Sequence, residues 1–254
     1  MMVDLSGRAV LVTGGSRGIG RAISLALAEA GARVAVHYRA NREKAEEVAR
    51  KAGNGAAPFQ ADLSHAAACD ELFDAVVGAF GRIDSLVNNA GIALKSNLSA
   101  PTNEWAADWD QTMAVNLRAS GVLSKRAVAH FQAQNPKGGR LIHIASRAAF
   151  RGDTQEYLAY AASKGGLVSL SRSIARAFGK ENICSFIIAP GFVRTEMAQD
   201  FIDMYGEEHV ADDLALNRMT EPGDIAPMVV LLVSGLADHA TGTSIDFNAG
   251  SYVR

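Results

Sequence analysis

Short apolar runs alternate with longer amphipathic stretches along almost the whole chain. The apolar runs predict strands at Ala9–Thr13, Arg33–Tyr38, Ala56–Ala61, Ser85–Asn88, Arg140–Ala145, Ile183–Ile188 and Ser244–Phe247. Helical spacing of apolar residues predicts helices near Ile19–Ala30, Arg42–Ala52, His65–Phe80, Trp105–Gln134, Tyr157–Phe178 and Gly223–Ser234. Several strands are apolar at nearly every position, which is typical of strands covered on both faces. The pattern therefore predicts an α/β fold with a doubly wound, mostly parallel seven-stranded sheet and helices on both faces.

One stretch interrupts this alternation, between the sixth strand and the last helix. Residues Thr195–Met219 are rich in Asp and Glu and have only a weak helical pattern. Long excursions on the carboxyl side of an open sheet often cover a ligand, and a solvated surface excursion is the plainer alternative. We expect a substrate lid at 195–219 within one domain of 254 residues, because no linker or internal repeat divides the chain.

Composition narrows the classes of function. The formal net charge is −2 with no basic stripe, which argues against nucleic-acid binding. The N-terminus lacks a signal-like pattern, and no apolar run approaches the roughly 18 residues of a membrane span. We therefore expect a soluble, cytoplasmic protein. The acidic residues Glu207, Glu208, Asp212 and Asp213 are expected to form a solvated face, and no metal site is predicted.

A glycine-rich turn separates the first predicted strand from the first predicted helix. Glycines at 14, 18 and 20 allow the backbone to turn tightly and to approach a pyrophosphate closely. The N-terminus of the following helix offers free N–H groups and the positive end of a dipole. In this context the pattern predicts a dinucleotide site, and a tight turn without a ligand is the alternative. Its contacting residues are expected to be Gly14, Ser16, Arg17, Gly18, Ile19 and Gly20.

Charge at the end of the second strand indicates which dinucleotide binds. NAD sites of this kind usually place a carboxylate about 20 residues beyond the glycine motif. Here that position is Tyr38, followed by Arg39, and Arg17 lies inside the glycine turn. Two guanidinium groups suit a 2′-phosphate, so NADP(H) is predicted in preference to NAD(H), which stays possible. A solvated side chain at a strand end is the alternative for Arg39.

Tyr160 and Lys164 are four residues apart in a predicted helix and share one face. A tyrosine has an ordinary pKa of about 10, and a nearby positive charge lowers that pKa. Such a pair can give a proton to a carbonyl oxygen or take one from a hydroxyl. The spacing is common by chance, so it gains its meaning from the glycine turn at the start of the chain.

Further motifs occur in a fixed order along the chain. They are Thr13-Gly14-x-x-x-Gly18-x-Gly20, Asn88-Asn89-Ala90-Gly91, Asn116, Ser146, Tyr160-x-x-x-Lys164 and Pro190-Gly191. Together they resemble the short-chain dehydrogenase/reductase family, and most closely its branch of β-ketoacyl-ACP reductases, where ACP is acyl carrier protein. The resemblance extends from Leu5 to Gly250 and implies a Rossmann fold that carries an NADPH-dependent carbonyl reductase, or the reverse alcohol dehydrogenase.

The resemblance also implies roles for individual residues. Tyr160 matches the catalytic acid/base, and Lys164 matches the lysine that lowers its pKa and holds the nicotinamide ribose. Ser146 matches the serine that polarises the substrate carbonyl, and Asn116 the asparagine that holds a proton-relay water. The remaining cofactor positions are Asp62 and Leu63 at the adenine, Asn88, Ala90 and Gly91 at the adenosine ribose, and Pro190, Gly191, Val193 and Thr195 at the nicotinamide.

The chain departs from the family pattern at one spacing. Ser146 lies fourteen residues before Tyr160, whereas the commonest spacing is thirteen, a position that Arg147 holds here. The loop Arg147–Leu158 is expected to be longer, which leaves the substrate open. It could be a 3-oxoacyl thioester, a small or sugar-derived ketone, or a cyclic alcohol. A regulator that binds the nucleotide without turnover is the alternative from another class.

The resemblance further implies an assembly. Family members are mostly tetramers built from two long helices and the C-terminal strand, and closed homo-oligomers are common in general. We therefore expect a homotetramer. Docking of acyl carrier protein would call for a basic patch, for which Lys137, Arg172 and Lys180 are candidates, although Glu181 and the acidic stretch weaken the case.

Overall fold

The computed structural model describes residues 3–196 and 213–253. Its seven strands form one sheet in the order β3-β2-β1-β4-β5-β6-β7, and every neighbouring pair is parallel. The strands are β1 (Ala9–Val12), β2 (Arg33–Tyr38), β3 (Ala57–Gln60), β4 (Ser85–Asn88), β5 (Gly139–Ile144), β6 (Ile183–Pro190) and β7 (Ser244–Phe247). The α/β prediction of a doubly wound seven-stranded sheet is thus confirmed.

Helices cover both faces of this sheet. They are α1 (Gly18–Glu29), α2 (Arg42–Ala52), α3 (Ala66–Phe80), α4 (Thr102–Met113), α5 (Ala119–Ala133), α6 (Ala148–Arg151), α7 (Leu158–Phe178) and α8 (Pro222–Ser234). Successive residues of a strand point to opposite faces. Val10 and Val12 of β1 accordingly join one core with α1, α2 and α8, while Leu11 joins a second core with α3, α5 and α7.

The structure differs from the sequence prediction in the long helix expected at Trp105–Gln134. Helices α4 and α5 are separated by a π-helical segment, Ala114–Arg118. The apolar pattern does not reveal this interruption because it continues through both helices. Strand β6 also extends to Pro190, two residues beyond the predicted end. Most of the predicted lid, 197–212, lies outside the described residues.

The strand order places a crevice at one edge of the sheet. It reverses direction between β1 and β4, since the chain runs outward to β3 on one side and to β7 on the other. Open parallel sheets bind ligands beyond the carboxyl ends of their strands at such a reversal. The loops after β1, β4, β5 and β6 therefore surround one common region. Among the described helices, none is long and apolar enough to cross a membrane.

Candidate active site

The glycine turn after β1 has a backbone that requires glycine. Gly14 and Gly18 have φ angles of +62° and +51°, in the left-handed region that side chains disfavour. A Cβ atom on Gly20 would lie 2.2 Å from the carbonyl oxygen of Gly14. The turn is therefore closed so tightly on the start of α1 that no larger residue fits at position 20.

The glycine turn is held by residues that follow β4. Thr13 Oγ1 donates to the carbonyl of Val87 (3.2 Å) and accepts from the backbone N–H groups of Asn89 (2.9 Å) and Ala90 (3.0 Å). The Asn89 side chain donates to the carbonyl of Thr13 at 2.8 Å. These bonds join the two sides of the crevice, so the loops after β1 and β4 form one rigid floor.

His37 holds the other side of the turn, a role that sequence reasoning missed. Its Nδ1 accepts from the N–H of Gly14 at 2.9 Å, and its Nε2 lies 3.2 Å from the carbonyl of Ala61. Burial lowers the pKa of His37 to about 4, so the ring is neutral at pH 7. A neutral ring with its proton on Nε2 satisfies both contacts.

The start of α1 can receive an anion. The first N–H groups of a helix have no partner within it, and the first turn contains no acidic residue. Arg17 directly precedes the helix and its side chain is exposed. Ser16 comes before it, and Ile19 is the second residue of α1. Arg39 directly follows β2 and is exposed, whereas Tyr38 is buried. The residues predicted to bind the phosphates thus lie at the carboxyl end of β1 and β2.

The predicted catalytic side chains converge on the carboxyl end of β5. Ser146 comes two residues after β5, and Tyr160 and Lys164 lie in the first two turns of α7. Lys164 Nζ donates to the carbonyl of Ile144 at 2.9 Å and lies 5.6 Å from the ring centroid of Tyr160. The Ser146 side chain acts on the phenol of Tyr160 and lowers its pKa. Residues separated by up to 18 positions therefore share one site.

Burial dominates the electrostatics of this group. It raises the pKa of Tyr160, which the hydrogen bond with Ser146 lowers and the charge of Asp153 raises further. The same burial lowers the pKa of Lys164 from 10.5 to about 8. The sequence predicts a lowered pKa for Tyr160 beside a cation, and the structure gives the opposite direction because burial has the largest effect on the phenol. Tyr160 is therefore a protonated phenol at neutral pH.

Asn116 holds the loop after β4 against α7. It lies in the π-helical segment, a distortion often found at functional sites. Its side chain accepts from the N–H of Ile92 (2.8 Å) and donates to the Ile92 carbonyl (2.9 Å) and to Ser163 Oγ (3.0 Å). Ser163 in turn donates to the carbonyl of Tyr160 at 2.7 Å. Asn116 thus positions the backbone on both sides of the site.

Gly91 lies between Asn116 and Lys164. A Cβ atom placed on it would be 3.3 Å from Oδ1 of Asn116 and 3.3 Å from Nζ of Lys164. Ala90 is partly buried beside it and donates its N–H to Thr13, which holds the glycine turn. These two residues therefore form the wall between the dinucleotide turn and the catalytic group.

Three further predicted cofactor residues have their own local roles. Asp62 is exposed and accepts from the N–H and the hydroxyl of Ser64 at 2.9 and 2.7 Å, which lowers its pKa. Leu63 is buried in the core. The Asn88 side chain is buried and donates to Ser124 at 3.2 Å, so it is the chain after Asn88 that borders the crevice.

The loop after β6 closes the far side. Gly191 donates its N–H to the carbonyl of Phe247 at 2.9 Å, and the carbonyl of Pro190 accepts from the N–H of Arg147 at 2.8 Å. Val193 is buried and pairs in parallel with Thr220. Thr195 returns over the glycine turn, where a Cβ atom on Gly18 would lie 3.3 Å from its methyl group.

The structure thus brings the predicted site residues to one edge of the sheet, with Asn88 and Leu63 turned inward. Sequence reasoning missed His37 and Ser163, and only the position of Ser163 one helical turn after Tyr160 could have indicated its role. Within the described ranges, no group of three or more His, Cys, Asp or Glu residues could hold a metal ion.

Comparisons with known proteins agree with this arrangement. The family model described as enoyl-(acyl carrier protein) reductase matches residues 14–251. The 3-oxoacyl-(acyl-carrier-protein) reductase FabG of Staphylococcus epidermidis is 34% identical over 249 residues, covering 97% of this chain and 99% of that protein. A dehydrogenase/reductase structure from Sinorhizobium meliloti has a TM-score of 0.90 and 35% identity, covering 99% and 98% of the two chains. A short chain dehydrogenase from Burkholderia cenocepacia, in complex with NADP, has a TM-score of 0.88 and 34% identity, covering 97% and 98%.

Proposed function

Because the chain belongs to the short-chain dehydrogenase/reductase family, we propose that it is an NADPH-dependent carbonyl reductase that also catalyses the reverse oxidation of an alcohol. The observation that carries this proposal is the convergence of Ser146, Tyr160 and Lys164 beside the glycine turn. A nucleotide-binding regulator would have no need of a partly buried phenol and a buried amine next to the dinucleotide site.

The residues present fit a dinucleotide. Gly20 leaves no room for a side chain under the turn, and the first N–H groups of α1 have no partner within the helix, so they can receive a pyrophosphate. Arg17 and Arg39 supply positive charge where a 2′-phosphate would lie, which favours NADP(H) over NAD(H). Lys164, whose Nζ lies beside Gly91, would hold the ribose hydroxyls of the nicotinamide nucleotide. When bound, NADPH supplies the hydride for reduction.

The side chains of the site manage the proton and the negative charge. Reduction of a ketone builds negative charge on its oxygen. The hydroxyl groups of Ser146 and Tyr160 donate hydrogen bonds to that oxygen and stabilise the charge. Tyr160, protonated at neutral pH because burial raises its pKa, then gives its proton to the oxygen. The ammonium of Lys164 stabilises the phenolate that remains, and its pKa near 8 keeps it charged at pH 7.

For the substrate we propose a 3-oxoacyl thioester. The proposal is supported by the similarity to the staphylococcal reductase and by two exposed leucines that flank the site, Leu98 in a loop and Leu158 at the start of α7. Leu98 and Leu158 are 56% and 42% exposed. The segments that precede the two leucines are joined by a 2.9 Å hydrogen bond from the N–H of Ser96 to the carbonyl of Glu156. Apolar side chains at such a position would contact an acyl chain.

We place the enzyme in the cytoplasm.

Turnover of NADPH with a carbonyl panel tests the proposal. We expect oxidation of NADPH with 3-oxoacyl thioesters, and less with small or sugar-derived ketones. Tyr160→Phe removes the proton donor and should lower kcat about 10²- to 10⁴-fold while dinucleotide binding persists. Tyr157→Phe makes the same chemical change one turn earlier and should keep most activity. Dinucleotide binding without turnover of any carbonyl would contradict the proposed activity and favour a regulator.

A further inference from the structure

The carboxylate of Glu196 lies between two cations near the start of α1. Its Oε2 accepts a hydrogen bond of 2.8 Å from Arg17, and its Oε1 accepts one of 2.5 Å from Nζ of Lys44. Arg17 precedes α1, Lys44 belongs to the first turn of α2, and Glu196 follows the loop after β6. Three separate parts of the chain therefore meet at a single anion.

This meeting point lies where the extra phosphate of NADP would bind. The ribose 2′ position in folds of this type lies at the end of β2. Arg39 directly follows β2, and α2 begins three residues later. Asn41 caps α2 by accepting from the N–H of Lys44 at 2.8 Å, which fixes the first turn of the helix. The positive end of the α2 dipole adds to the positive charges of Arg17, Arg39 and Lys44.

Glu196 is held in this position by its own neighbours. Arg194 donates its N–H to the carbonyl of Thr220 at 3.0 Å, and Thr195 packs against Gly18. The hydrogen bonds from Lys44 and Arg17 lower the pKa of Glu196, so the side chain is an anion at neutral pH. A carboxylate with two oxygens on two cations has the same sign of charge as a phosphate monoester and the contacts that such a group would make there.

We propose that Glu196 occupies the 2′-phosphate subsite and competes with NADP(H) for it, and that Lys44 is a third cation for that phosphate beside Arg17 and Arg39. The inference rests on the proposed preference for NADP(H). A dinucleotide without a 2′-phosphate leaves the contacts of Glu196 undisturbed, whereas a 2′-phosphate must displace the carboxylate. Glu196 therefore lowers the affinity for NADPH alone, and Lys44 raises it.

The contacts of Glu196 are exposed, which limits the size of the effect. The side chains of Arg17, Lys44 and Glu196 are 66%, 46% and 56% exposed. Exposed ion pairs are weak and are screened by salt. We therefore expect the competition to change the affinity for NADPH by about three- to tenfold, and not to abolish binding.

Binding measurements on variants in which glutamine replaces a charged residue test this inference. The ligands are NADPH and NADH, with 2′,5′-ADP and 5′-ADP as probes that lack the nicotinamide. Glu196→Gln should raise the affinity for NADPH and 2′,5′-ADP about three- to tenfold and leave the affinity for NADH and 5′-ADP unchanged. Lys44→Gln should weaken NADPH and 2′,5′-ADP by a similar factor. Glu47→Gln and Lys51→Gln, which break another exposed pair of α2, should change none of these affinities.

The outcomes separate this inference from the proposed function. If the wild-type protein binds neither NADPH nor NADH, the proposed activity is contradicted. Tighter binding of NADH than of NADPH would contradict the predicted cofactor preference and this inference with it. The inference alone is overturned if the wild-type protein prefers NADPH and Glu196→Gln changes the affinities for NADPH and NADH equally. It is likewise overturned if Lys44→Gln changes neither affinity.

Discussion

Lys164 carries a charge into a position that is only 4% exposed. Burial lowers its pKa from 10.5 to about 8. Below pH 8 the amine is protonated in the folded and the unfolded chain, and the buried ammonium then costs about 3 kcal/mol at about 1.4 kcal/mol per pKa unit. Between pH 8 and 10.5 the unfolded chain binds more protons, so stability rises with pH. The residue is therefore kept at the expense of stability.

The substitution Lys164→Met tests this cost. Methionine has a similar volume and no charge, so we expect the free energy of unfolding to rise by about 1–3 kcal/mol at pH 7. The gain should shrink as the pH rises from 8 to 10, and turnover should be lost. Urea denaturation at several pH values measures the effect, with the exposed Lys125→Met as control. A less stable variant at pH 7 would show that the contacts of the ammonium outweigh its burial.

Single residues differ in how far the sequence reveals them. Tyr160 and Lys164 are recognised because their spacing is local and they share one helix. His37 acts on Gly14, 23 residues earlier, and Glu196 acts on Arg17, 179 residues earlier. Residues so far apart in sequence leave no signal in the periodicity of apolar positions. Such residues are found only once the fold has brought their partners together.

At the scale of elements, the sequence predicts strands and helices where the apolar period is regular. All seven strands were expected, and their observed ends differ by at most two residues. The π-helical segment at Ala114–Arg118 was not expected, and its residue Asn116 makes contacts that are distant in sequence. Asn116 forms hydrogen bonds to both backbone groups of Ile92, in the loop after β4, and to Ser163 of α7. The apolar pattern of α4 and α5 contains no trace of them.

Alanine substitutions of Gly20 in α1 and Gly78 in α3 distinguish the effect of a steric clash on stability from that of helix propensity. Gly20→Ala places a methyl group 2.2 Å from the carbonyl oxygen of Gly14, so we expect lower stability and loss of dinucleotide binding. Gly78 lies inside α3, where an added Cβ would have no atom within 4 Å beyond its chain neighbours and the backbone of its own helix, so Gly78→Ala should stabilise by about 0.5–1 kcal/mol. Thermal unfolding and NADPH titration measure both effects. Normal NADPH binding by Gly20→Ala would show that the turn can open without cost.

At the scale of the whole molecule, the fold leaves surfaces that a monomer would expose. Among the residues that the structure describes, β7 forms one edge of the sheet and pairs with β6, and edge strands are often covered by another chain. The outward face of α7 has small exposed residues at helical spacing, among them Ala162, Ser169 and Ser173. Small side chains allow two helices to approach closely. Both features support the proposal of a homotetramer built through β7 and the long helices, while the sequence alone offers only the family resemblance for it.

A bulky residue on α7 tests this assembly. We expect the wild-type protein to have four times the 26.8 kDa mass of the chain in light scattering after size-exclusion chromatography. Ser169→Trp places an indole on the outward face of α7, where it should separate paired helices and reduce the mass to that of a dimer or a monomer. Ala67→Trp, on the exposed first turn of α3, should leave the mass unchanged. A wild-type monomer at micromolar concentration would contradict the tetramer, and an unchanged tetramer in Ser169→Trp would exclude α7 from its interface.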